Sequence, residues 1–174
     1  MAVNLDKMAL GLANALLACF CSALEGSTGG SPCHCCLAVG PPPADFCCEC
    51  PSGASGQAWV RVVAIFPSSK FPARTNELVR CGQSAAYAVE LELGAYRCVA
   101  TLDDAGDPPS CEATTRDVEV QVDDAAAMRA AVCCFRAQDG GRILVPGEWS
   151  PIPPNGGCAG GVMRVTVQAY TCCP

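Results

Sequence analysis

Cysteine is the residue type in this chain with the widest chemistry, because a thiol can bond another thiol, hold a metal or act as a nucleophile. Sixteen of the 174 residues are cysteines, a density that goes with an oxidising compartment or a bound metal. Cys33, Cys36, Cys47 and Cys50 follow a C-x2-C-x10-C-x2-C spacing, two close thiol pairs of the kind that build a tetrahedral structural zinc site. Cys35 and Cys48 crowd the same segments, and the doublets Cys133-Cys134 and Cys172-Cys173 repeat the pairing elsewhere. A chain that pairs cysteines throughout is read more simply as disulfide-bonded. Cys33, Cys36, Cys47 and Cys50 are therefore expected in bridges, as are Cys35, Cys48, Cys81, Cys98, Cys111, Cys133, Cys134, Cys158, Cys172 and Cys173. Zinc at the first four is the alternative, and no other cofactor is expected. Consecutive Cα atoms stand about 3.8 Å apart, below the ~4.4–6.8 Å of a relaxed disulfide, so each doublet is expected to bond outward to two separate partners.

The remaining candidates for chemistry have plainer readings. His34 is the only histidine and could serve as a zinc ligand or a base, but it lies in a Gly/Pro-rich stretch, and catalysis needs tight positioning. It reads as an exposed loop residue, and no catalytic residue is expected. Asp103, Asp104 and Asp107 lack the spacing of a calcium loop and read as turn formers before Pro108. Glu90 and Glu92 fall on one face of an alternating strand, where carboxylates usually meet water.

The elements that must position these residues are legible in part. The composition is 51% hydrophobic and 16% charged, which predicts a packed core, and the length suits one domain spanning 1–174. A net charge of −6 argues against tight binding to a phosphate backbone. Leu5, Met8, Leu12, Leu16, Cys19 and Ala23 recur at helical spacing, predicting a helix over 4–24. A Cys/Gly/Pro-rich loop is predicted over 27–56, and a sheet-and-helix core over 57–174. Within that core, strands are predicted over 58–66, from 87 to about 99, 142–149 and 162–170, with an exposed connection over 68–84. A second helix is predicted over 112–136, with Val118, Val122, Ala125, Val132 and Phe135 on one face. The stretch 151–161, rich in Pro and Gly, reads as a connection. The predicted fold is α+β: a small, mostly antiparallel four-stranded sheet with an N-terminal helix and a second helix packed on it, plus the cysteine-rich loop. No run reaches the ~20 apolar residues of a transmembrane helix, so no membrane is expected. Leu16-Leu17-Ala18-Cys19 has the look of a lipoprotein cleavage box, but Asp6 and Asn14 are out of keeping with a signal peptide.

Several stretches resemble a family of cysteine-rich neck proteins from long-tailed viruses of actinobacteria. They are Cys47-Cys48-Glu49-Cys50 leading to Ala58-Trp59-Val60-Arg61-Val62, Phe66-Pro67 with Phe71-Pro72, Glu92-Leu93-Gly94 to Arg97-Cys98, Ala131 to Cys134, and Trp149-Ser150-Pro151 to Gly156-Gly157-Cys158-Ala159-Gly160-Gly161. The last is the most specific, and the helix-first order is similar to that of tail terminators. The resemblance implies a non-catalytic virion protein assembled in the host cytoplasm. It further implies a homo-oligomeric ring, expected to be a hexamer, which contacts the tail tube protein and a head-side neck protein while DNA passes through without specific binding. Another neck ring, stopper or adaptor, or a minor tail protein, is the near alternative. From other classes, a secreted disulfide-rich surface lipoprotein and a zinc-binding protein remain open.

Overall fold

The apolar stripe near the N-terminus forms helix α1, Ala9–Glu25, which buries Ala9, Ala13, Leu16, Cys19, Phe20 and Leu24. The Asp6 carboxylate accepts from the amides of Ala9 at 3.2 Å and Leu10 at 2.6 Å, satisfying donors that have no intrahelical partner. Gly26 and Ser27 close the other end by donating their amides to Ala23 and Leu24. The computed structural model describes residues 6, 8–42, 47, 56–76, 84–138 and 141–172. The first residues of the helix predicted from position 4 lie outside them.

Five strands follow in one sheet: β1 His34–Leu37, β2 Gln57–Pro67, β3 Ser84–Cys98, β4 Leu144–Asn155 and β5 Cys158–Cys172, in spatial order β1-β2-β3-β5-β4. β2, β3, β5 and β4 are antiparallel neighbours, whereas β1 runs parallel to β2, with His34 opposite Gln57 and Leu37 opposite Val60. The four-stranded, mostly antiparallel sheet expected from sequence is thus corrected to a five-stranded mixed sheet. β1 falls inside the stretch expected to be loop. Four residues carry too little alternation to register as a strand, and a parallel partner is specified by no local turn. A bridge from Cys21 to Cys35 ties β1 to α1.

The expected connection over 151–161 is also corrected, since it is a β-hairpin. β4 continues to Asn155, which pairs with Cys158 across Gly156 and Gly157. Both glycines have positive φ, 58° and 81°, as a type I′ turn requires. Pro146, Pro151, Pro153 and Pro154 sit in β4 because it is an edge strand, where a missing amide leaves no ladder bond broken.

The second helix, α2, spans Cys111–Ala137. Ser110 caps it by accepting from the Ala113 amide at 3.2 Å. α1 and α2 lie together on one face of the sheet, where Leu16, Phe20, Met128 and Phe135 meet Val60, Leu91, Leu93, Val165 and Val167 in the main core. Only the second half of α2 contributes. Ala125, Val132 and Phe135 are buried as the stripe predicted, but Val118 and Val122 are 53% and 54% exposed.

Candidate functional site

The alternation that buries Ala58 and Val60 under the helices turns Trp59 and Tyr96 to the opposite face of the sheet. There they form a second cluster with Cys47 and Cys158. Trp59 and Tyr96 stand 4.9 Å apart between ring centroids. The Trp59 indole lies over Gly94, where an added Cβ would come within 2.1 Å of the ring, and the Trp149 indole lies over Gly161 in the same way, at 2.3 Å. Burial, and secondarily the charge of Glu92, raises the Tyr96 phenol above its ordinary pKa.

Disulfides join these layers. Cys19–Cys134 links α1 to α2, Cys21–Cys35 links α1 to β1, and Cys47–Cys158 ties the cysteine-rich segment to the start of β5. Cys33 and Cys98 are disulfide-bonded as well. Cys36, Cys111 and Cys133 are free and exposed. Within the doublets Cys35-Cys36 and Cys133-Cys134, one member bonds and the other does not. Consecutive strand residues point to opposite faces and consecutive helix residues diverge by about 100°, so only one of each pair can face α1. Cys48, Cys50, Cys81 and Cys173 lie outside the described residues, and Cys172 ends β5.

Of the thiols proposed for zinc, Cys50 lies outside the described residues and the other three are not three free thiols. Cys47 is bonded to Cys158 and Cys33 is oxidised, while Cys36 stands exposed on β1. Among the described residues no group of three or more His, Cys, Asp or Glu side chains is placed to hold a metal ion. His34 and Cys36 share one face of β1, and both are exposed. Asp103 accepts from the amides of Ala105 and Asp107 within its own turn, each at 2.9 Å.

Two ionic nodes went unread in the sequence. Arg97, near the end of β3, is 2% exposed and Asp124 of α2 is 4% exposed. Arg97 Nε donates to Asp124 Oδ2 at 2.7 Å and Nη2 to Oδ1 at 2.8 Å, a paired geometry that suits guanidinium and carboxylate. The same guanidinium donates to the carbonyls of Gly29 and Gly30, both at 2.9 Å, and the Ser27 hydroxyl donates to Asp124 Oδ1 at 3.1 Å. An added Cβ at Gly29 or Gly56 would strike the Arg97 side chain. Beside this node the Thr28 amide and hydroxyl donate to Asp123 at 2.5 and 2.8 Å, which lowers the Asp123 pKa. One arginine thus binds sheet, helix and the loop after α1.

The second node lies on the face opposite the helices. Arg61 Nε donates to Glu92 Oε1 at 2.7 Å, and Arg164 Nε to Glu92 Oε2 at 3.2 Å. Arg164 Nη1 reaches Glu90 at 3.2 Å. Glu92 is only 3% exposed, so the solvated carboxylate expected there is corrected to a buried one held between arginines of both neighbouring strands. The register Arg61–Glu92–Arg164 across β2, β3 and β5 was the available signal, and it emerges only once the strands are paired.

No protein-family model matches this chain, and no curated protein sequence matches it.

Proposed function

We propose that this chain is a non-catalytic structural subunit of the head-tail neck of a long-tailed bacterial virus, in the position of the tail terminator ring that caps the tail tube and joins it to the head. The observation that carries this reading is the work done by the most specific of the resembling stretches. Trp149 packs on Gly161, Gly156-Gly157 turns the hairpin, and Cys158 bridges to Cys47. Each of these residues serves packing, chain reversal or cross-linking, which is what a mechanical part asks of its sequence. The buried ionisable side chains Glu92, Arg97 and Asp124 are likewise engaged in ion pairs.

Proteomics and cryo-electron microscopy of purified virions test the reading. The expected result is this chain at low copy number, in a symmetric ring between head and tail tube. Its absence from particles would overturn the assignment.

A secreted disulfide-rich protein would share the bridges but not the anchor at Cys19. That residue is buried in α1 and bonded to Cys134. Cleavage before it would remove Ala9, Ala13 and Leu16 from the core.

A further inference from the structure

The first half of α2 presents apolar side chains and carboxylates at the surface formed by the described residues. Val118 and Val122 are exposed there, with Leu102 exposed on the preceding turn. Glu119 lies beside the two valines, Asp104, Asp107 and Glu112 are exposed in the same stretch of chain, and Arg116 is the one base in the sequence between 103 and 124. Val118, Val122 and Glu119 line a shallow groove of about 510 Å³ with Thr28, Ala126 and Arg129.

The opposite end of the molecule has the complementary character. After β2 the chain turns through exposed Lys70, Pro72 and Arg74, with no carboxylate between Ser68 and Asn76. Arg74 is held over the Phe66 ring at 4.3 Å, an arrangement that presents its charge on a rigid base. Exposed Tyr170, opposite Ala86 on β5, adds aromatic surface at this end.

The two patches cannot meet within one copy. The Ser68 amide donates to the Ala86 carbonyl, while Asp117 of α2 accepts from the Ala100 amide beyond the far end of β3. From Ala86 to Cys98 the strand covers about 40 Å, several times the ~8 Å screening length at physiological salt.

We propose that the first half of α2 docks onto the Lys70–Arg74 turn of a second copy of this chain, head to tail. Val118 and Val122 would pack against Pro72 and Tyr170 of the neighbour, and the carboxylates of the same stretch would face Lys70 and Arg74. Such a contact joins two different surfaces, so it propagates and closes into a ring when the rotation between copies permits. This rests on the neck-ring reading above and adds which faces meet.

Sedimentation of the full oxidised chain at about 50 mM and about 500 mM salt tests the contact, using K70E/R74E, D104K/E119K, the combined four-site swap and V118D. These positions avoid the helix cap and the buried ion pairs, and circular dichroism confirms the fold of each variant. Wild-type assembly should weaken in the higher salt. Each two-site swap and V118D should raise the concentration needed for half assembly by at least about tenfold, and the four-site swap should restore it. Assembly indifferent to every variant overturns these faces while leaving the ring reading intact. A wild-type chain that stays monomeric at millimolar concentration in low salt overturns both the contact and the ring.

Discussion

Arg97 stands where sheet, helix and loop converge, and its removal from water is matched by carboxylate and carbonyl acceptors on several sides. A buried pair of this kind is costly to break, because the surviving charge is left without a partner in a dry site. Asp124→Ala should lower unfolding free energy by about 3–5 kcal/mol, read from denaturant midpoints with the disulfides intact. Replacing both partners with Leu and Met should cost clearly less, and equal losses would mean that the pair itself, rather than the orphaned charge, sets the effect. Gly94 poses a steric version of the same question: its missing side chain is the space that Trp59 occupies. Gly94→Ala should cost about 1–3 kcal/mol through overpacking, and should change the near-ultraviolet signal of the indole. Tyr96 supplies a pH signature. Burial and Glu92 both disfavour its phenolate, so the folded state holds that proton more tightly than the unfolded chain does. The associated stability is present below the ordinary tyrosine range near pH ~10 and is lost as pH rises from there through the raised value. An alkaline absorbance titration should lose its late-ionising component in Tyr96→Phe.

At the scale of elements, the bridges differ most in how much chain they close. Cys21–Cys35 spans a separation of 14 residues, and Cys19–Cys134 one of 115. In the chain-entropy model the shorter loop contributes about 3 kcal/mol and the longer nearer 5, so C19S/C134S should destabilise the protein more than C21S/C35S. The smaller loss should nonetheless have the sharper local effect. β1 has four residues and only one strand beside it, and without its tether to α1 its amides should exchange with deuterium faster while those of β3 and β5 stay protected. Uniform exchange across the sheet in C21S/C35S would show that β1 does not need the bridge. α2 has the reverse asymmetry. Its second half is pinned by Asp124, Cys134 and the buried Phe135, while among the described residues its first half is tied to the body by Asp117 to Ala100 and, at its end, by Asp123 to Thr28.

For the whole molecule, charge sets what can pass close to it. Seventeen acidic against eleven basic residues give a net charge of −6, and three of the arginines, Arg61, Arg97 and Arg164, are engaged with carboxylates. Few cations are left to displace counterions from DNA. The protein should show no salt-sensitive retention of duplex DNA at low ionic strength in a gel-shift or anisotropy assay, and a steep salt-dependent affinity would contradict this reading of its charge.

What could be read from sequence was whatever is written in local periodicity. The helical stripe Leu12, Leu16, Cys19, the alternation of Val89, Leu91 and Leu93, and the alternation of Met163, Val165 and Val167 each repeat at their own element's period, so α1, β3 and β5 were legible without a partner. The density of cysteines likewise announced disulfides, though not which thiols would bond. Tertiary structure alone decided the rest. Strand β1 exists because α1 and β2 hold four residues that have no pattern of their own, and prolines that read as loop became an edge strand because the outer side of β4 has no ladder to complete. Arg97 and Asp124 stand 27 positions apart, and Arg61 and Glu92 31 apart. Pairing at such distances follows from register and packing direction, which one-dimensional spacing does not encode. The same holds for α2, whose single apolar stripe is buried at Phe135 and bare at Val118. Periodicity specifies which face of a helix is apolar, but only the arrangement of the other elements determines how far along that face the core extends.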